Sequence, residues 1–257
     1  MTEPLPPTPP APPPRPARRG WRARSRAGWI GLTIALLLGW VFTIWPELDL
    51  WTSAQFRTGS GAFVGDATPG VRFLYRAIPI TGWIYVLVGP AIAMLWIRRA
   101  HPLGRRWSRR LAALAWVSLL GSGLLINAGV KEHWGRARPI QVSEFGGHKH
   151  FSLALVPADQ CDHNCSFVSG HAASGFVLMA VGLMGSVATR RRWFWIGMAW
   201  GAVASLMRIA QGGHFLSDTL FAGVAIWGSG WIVRELWLRA TAARWRRLRR
   251  RREAAAG

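Results

Sequence analysis

Six apolar runs divide the chain, near Trp29–Trp45, Ile78–Ile97, Leu111–Val130, Phe167–Ala188, Trp193–Met207 and Phe215–Trp237. Each is about the length a helix needs to cross ~30 Å of hydrocarbon. The pattern predicts an all-α, integral membrane bundle of six transmembrane helices. The fifth run is the shortest. Its helix is expected to continue through Arg208 to Gln211 before Gly212-Gly213 breaks it. Between the first two runs, Leu48–Phe56 and Val71–Ile78 read as amphipathic pieces lying flat at the interface, with Trp51, Phe56, Phe73 and Tyr75 as anchors. Short connections leave no room for a separate soluble domain.

The charged positions orient this bundle. Arg15 to Arg26, Arg98 to Arg110, Arg190 to Arg192 and Arg239 to Arg252 fall on one side, which the positive-inside rule makes cytoplasmic. Both termini are then expected in the cytoplasm, with the opposite helix ends facing outward. Pro4 to Pro16 cannot form a helix. Residues 1–28 are therefore expected to be a disordered, Pro/Arg-rich tail, 29–238 the membrane domain with its core at 111–238, and 239–257 a basic cytoplasmic tail. The first apolar run follows a long basic stretch and precedes no convincing cleavage site, so it reads as a retained anchor.

Composition agrees only with a membrane protein. In a soluble domain, 51% hydrophobic residues and 17 Trp would conflict with a net charge of +21 among 257 residues. The basic surplus fits topology and attraction to anionic headgroups. No nucleic-acid partner is expected, because no aromatic-basic platform accompanies the charge.

Three polar clusters sit at outer helix ends. The first, after the third run, is Lys131-Glu132-His133-Trp134-Gly135-Arg136-Ala137-Arg138-Pro139; Lys131 and Lys149 are the only lysines. An ammonium at a helix end and a guanidinium in the following loop can hold a phosphate from two directions. His133 and Arg136 receive no role. The second is Ser169-Gly170-His171, where a hydroxyl and unpaired N–H groups at a helix start offer an anion site. The third runs from Arg208 to Asp218. If the helix begins at Phe215, His214 and Asp218 lie at i and i+4, so the carboxylate can orient the imidazole and Arg208 can hold an anion beside them. Each cluster alone also has a plain structural explanation, in snorkelling cations or a satisfied histidine. In the outer loop between Ile140 and Ser166, Cys161 and Cys165 are the only cysteines. A disulfide closing that short loop is the favoured reading; Cys161, His163 and Cys165 as zinc ligands match no common structural spacing.

Together the clusters resemble the type 2 phosphatidic acid phosphatase superfamily of membrane lipid phosphatases. Its first motif, Lys, six residues, Arg-Pro, matches Lys131 to Arg138-Pro139. Its second, Pro-Ser-Gly-His, matches Val168-Ser169-Gly170-His171, and its third, Ser-Arg, five residues, His, three residues, Asp, matches Met207-Arg208 to His214 to Asp218. Val168 and Met207 depart from the motifs. Neither replaces a group that transfers a proton or attacks phosphorus.

The resemblance implies a mechanism. His214, oriented by Asp218, attacks phosphorus to give a phosphohistidine, His171 protonates the leaving group, and Lys131, Arg138, Arg208, Ser169 and Gly170 hold the equatorial oxygens. No metal or cofactor is expected, three fixed cations taking that role. The implied partner is a phosphorylated lipid within a bilayer of other lipids; oligomeric state is not legible. Trp134 to Pro139, Asn164 to Phe167 and Gln211 to Asp218 look most like bacterial lipid A phosphatases. Undecaprenyl pyrophosphate and phosphatidylglycerophosphate phosphatases, a lipid phosphotransferase, and a lipid-phosphate-binding protein without turnover are the alternatives.

Overall fold

The computed structural model describes residues 18–98 and 104–256. Helices follow one another as α1 (Arg18–Ile44), α2 (Glu47–Ala54), α3 (Val64–Ala67), α4 (Pro69–Trp83), α5 (Gly89–Arg98), α6 (Gly104–Val117), α7 (Lys131–His133), α8 (Gly170–Phe176), α9 (Val187–Ala210) and α10 (Leu216–Ala256). Wider π-type turns at Ile84–Val88 and Ser118–Val130 join α4 to α5 and α6 to α7, and 3₁₀ turns extend α8 to Gly182. No strand is present among the described residues, so the all-α expectation holds.

Among the described residues, five helical segments are long and apolar enough to cross a membrane: Ala27–Ile44, Pro69–Ile92, Arg106–His133, Val187–Ala210 and Leu216–Ala255. Where the sequence predicts a fourth span over Phe167–Ala188, the helix is shorter, Gly170–Gly182. Two local features set its ends. Ser169 caps the start by accepting the Ala172 N–H at 3.3 Å, and Ser186 opens α9 by accepting from Thr189 at 3.2 Å. Unlike the longer helices, this one sits inside the bundle, with Ala172, Ala173, Phe176, Val177 and Ala180 all buried. Its neighbour α9 approaches closely because Gly201 faces Phe176; a Cβ at Gly201 would lie 2.1 Å from that ring.

Helix extends into both expected tails. α1 begins at Arg18 and α10 runs to Ala256, so parts of both expected tails are helical. The reason is continuity: Arg, Ala and Leu favour a helix already nucleated by an apolar span. Residues 1–17, with the Pro-rich stretch, lie outside the described residues. The amphipathic piece Val71–Ile78 is likewise no separate interfacial helix. It is the first part of α4, which passes through Pro79 into the second apolar segment.

The main core gathers Phe42, Val117, Ile126, Phe176, Val177 and Ile226, from α1, α6, the following π turns, α8 with its extension, and α10. Outward faces carry exposed Trp40, Trp83, Leu87, Leu124 and Leu206, as hydrocarbon contact requires.

Candidate active site

The third polar cluster assembles around a helix start. α9 ends at Ala210 with Gln211 as its C-cap, and α10 starts at Leu216. Between them Gly212 has φ of 61°, and the chain at Gly213 passes so near Arg208 that a Cβ there would meet its Nη2 at 2.1 Å. Asp218, in the first turn of α10, reaches back to accept the Phe215 N–H at 2.8 Å, the acidic half of a capping box. His214 therefore precedes the helix instead of sharing its face with Asp218. Its Nδ1 lies 3.7 Å from Asp218 Oδ2, beyond a hydrogen bond, and 2.7 Å from the Ser166 carbonyl oxygen.

A carbonyl can only accept, so this contact puts the His214 proton on Nδ1 and leaves a lone pair on Nε2. Nε2 is buried and has no hydrogen-bond partner among the described residues. Burial pushes the imidazole pKa down to about 3, the Arg208 and Lys131 charges adding to the shift and Asp218 opposing it. The ring is neutral over the physiological range. Asp218 acts on it through Ser166, whose hydroxyl donates to Oδ2 at 2.5 Å.

Behind Asp218 lies a charged network. Arg136 is fully buried and donates to Asp218 Oδ1 at 2.5 Å, to Ser217 Oγ at 2.8 Å, to Asp49 Oδ2 at 2.8 Å and to the Ser152 carbonyl at 3.0 Å. Its guanidinium also sits 4.4 Å from the Phe215 ring centroid. Asp49, from α2, accepts the N–H and the hydroxyl of Ser217 at 2.8 and 2.6 Å. Burial works against the charge on Arg136, but the Asp218 and Asp49 carboxylates outweigh it and raise its pKa; burial raises that of Asp49 against the pull of Arg136.

The first cluster is gathered by one loop residue. Asn164 accepts from Lys131 Nζ through its side chain, and from Arg138 Nη2 through its carbonyl at 2.8 Å. Burial lowers the Arg138 pKa. Cys161 and Cys165 are joined, with their Cα atoms 5.6 Å apart, closing the loop that carries Asn164. Bonded to each other, the sulfurs are not thiolate ligands. The Cys165 and Ser166 N–H groups bond to the Lys131 and Arg136 carbonyls at 3.2 and 2.9 Å, laying this loop across the first motif.

The second cluster joins from α8. Ser169 is buried, and its N–H donates to the Asp218 carbonyl at 3.1 Å. Its hydroxyl oxygen serves as the α8 cap, which leaves the hydroxyl proton to donate elsewhere. His171 stacks on Tyr75, centroids 4.8 Å apart at 11°, and its Nε2 lies 3.2 Å from the Tyr75 carbonyl. That carbonyl is available because Pro79, four residues on, has no N–H to offer it. Lys131, Asn164, Gly170 and His171 line one cavity; Arg138, Arg208 and Gly213 line the next. Arg208 donates to Gln211 Oε1 at 2.7 Å and lies 4.9 Å from the Tyr75 centroid.

Lys131, Arg138, Gly170, His171, Arg208 and His214 thus border neighbouring cavities or the buried site beside them. Three stretches separated in the sequence converge here. A model of the PAP2 superfamily matches residues 111–242. The chain belongs to the PAP2 superfamily. It is a phosphatase of that superfamily and acts as a membrane lipid phosphatase. The chain is 36% identical over 217 residues to a lipid A 4'-phosphatase of Francisella tularensis subsp. novicida, covering 82% of this chain and 95% of that relative. Lipid A 4'-phosphatases of Rhizobium leguminosarum and Rhizobium etli are each 32% identical, over 70% and 71% of this chain and 83% and 79% of theirs. No solved structure matches the chain significantly.

Sequence reasoning missed Asp49, Arg136, Asn164, Ser166, Tyr75 and Ser217. Two signals were present: Arg136 stands two residues before Arg138, and Asp49 is the one charged residue of the amphipathic stretch Leu48–Phe56. Met207, the departure from the third motif, packs with Ile78 and Ala204 and against Val71 and Leu74, so it holds α4 and Tyr75 against α9. Val168 is buried in the main core.

Proposed function

We propose that the protein removes the 4'-phosphate of lipid A through a phosphohistidine on His214. The observation that carries this reading is the buried, unpartnered Nε2 of a neutral imidazole whose other nitrogen is fixed by Ser166. Nε2 attacks phosphorus while the bond to the sugar oxygen breaks. Lys131, Arg138 and Arg208, with the Ser169 hydroxyl and the Gly170 N–H, stabilise the equatorial oxygens. Positive charge that forms on His214 is balanced by Asp218 at 3.7 Å.

His171, in its imidazolium form, gives its Nε2 proton to the leaving sugar oxygen, which competes with the Tyr75 carbonyl for that N–H, and is left as the neutral ring. The deprotonated ring then takes a proton from water as that water attacks the phosphohistidine. The site is read as periplasmic and both termini as cytoplasmic, supported by the arginine distribution and by a disulfide beside the site.

The test is a panel of lipid A, undecaprenyl pyrophosphate and phosphatidylglycerophosphate in detergent, with products identified by mass spectrometry. Preferential loss of the 4'-phosphate from lipid A, absent in His214→Ala, is expected. Turnover confined to another member of the panel overturns the substrate, and full activity of His214→Ala overturns the nucleophile.

A further inference from the structure

The outer part of α4 brings more positive charge to the site than a single phosphate needs. A cavity of about 350 Å³ is lined by Arg72, Tyr75, Arg76, Arg138, Arg208 and Gln211, among others, and no acidic side chain lines it among the described residues. Lys131, Arg138 and Arg208 already set three positive charges against a phosphomonoester, which carries about two negative charges at neutral pH. Arg72 and Arg76 add two more from positions one helical turn apart, on either side of Tyr75. Tyr75 stacks on His171 and lies beneath the Arg208 guanidinium. The surplus charge therefore borders the flank of the site occupied by His171, away from the Asp49–Arg136–Asp218 network.

We propose that Arg72 and Arg76 form a second anion subsite, which takes a further phosphate or carboxylate carried next to the reacting phosphate on the same headgroup. This rests on the reading of Arg138 and Arg208 as phosphate ligands. Two guanidiniums at this spacing hold a second group by charge-assisted hydrogen bonds and select headgroups with paired anions over those with one. A role only in attracting the bulk anionic membrane surface would show no such selection.

Inorganic phosphate and pyrophosphate serve as probes, measured by calorimetry on the full-length protein in uncharged detergent at fixed ionic strength. Wild type is expected to bind pyrophosphate more tightly than phosphate. In Arg72→Gln/Arg76→Gln the ratio of the two affinities is expected to fall about tenfold, the size of two partly exposed charge-assisted contacts. Arg246→Gln, far along α10, is expected to leave the ratio as in wild type. The thermal midpoint of each variant separates misfolding from lost binding, and the single variants Arg72→Gln and Arg76→Gln should each give part of the fall. An unchanged ratio, or equal weakening of both probes, overturns the subsite. Failure of wild-type lipid A turnover, together with the expected fall of the ratio in Arg72→Gln/Arg76→Gln, would overturn the substrate reading alone.

Discussion

The imidazole of His214 donates from Nδ1 to the carbonyl oxygen of Ser166 at 2.7 Å, so a backbone group, and not Asp218, fixes its tautomer. Asp218 holds Ser166 and the start of α10 in place instead. The orienting carboxylate thus acts at one remove. His214→Ala is expected to lower turnover by roughly 10³-fold or more while the protein stays folded, since the rest of the site remains. Steady-state kinetics with a thermal melt in the same detergent checks this.

Arg136 bridges Asp49 and Asp218 with no exposed surface. Arg136→Met leaves two buried carboxylates without their cation and is expected to cost about 3–5 kcal/mol of stability, with activity lost alongside. Arg136→Lys should not restore either property, because an ammonium cannot span both carboxylates and the Ser152 carbonyl as the guanidinium does. The measurement is the denaturation midpoint of both variants. A wild-type midpoint for Arg136→Met would remove the network from the account.

Gly213 leaves no space for a side chain against Arg208. Gly213→Ala is expected to displace the guanidinium and lower kcat/KM about 10²-fold, the scale of an ångström of misplacement, with little change in thermal midpoint. Equal kinetics in this variant would show that Arg208 adjusts without cost.

The disulfide closes a short loop, worth ~2 kcal/mol by chain entropy. Its larger effect is local, because Asn164 within that loop touches both Lys131 and Arg138. Cys161→Ser/Cys165→Ser should raise the KM for lipid phosphate more than it lowers kcat. The split between the two parameters is the readout.

His214 also predicts a pH dependence of stability. Its folded pKa, about 3, lies below the ordinary value of 6.5, so between these values the unfolded chain binds the proton and the folded one does not. Stability tied to this group is present above pH 6.5 and falls as pH drops towards 3. Thermal midpoints across that window should fall less steeply in His214→Asn than in wild type. For the same reason the acid limb of kcat/KM should not be set by His214 at any pH above about 3.

The sequence by itself determined the bundle, because apolar runs of spanning length leave a chain no other way to satisfy its backbone in lipid. It also named the residues proposed for the phosphate site, since three motifs at helix ends are local features of the chain. Only the tertiary structure decided how these residues are held. The partner of His214 is a carbonyl 48 residues away, and Arg136 meets Asp49 87 residues away, contacts that no local pattern encodes. The length of the fourth helix was equally a matter of packing, because a segment buried among helices can be short where one facing lipid cannot. Tyr75, which reads from the sequence as an interfacial anchor, faces His171 because α4 continues through Pro79 and Met207 packs against it from α9.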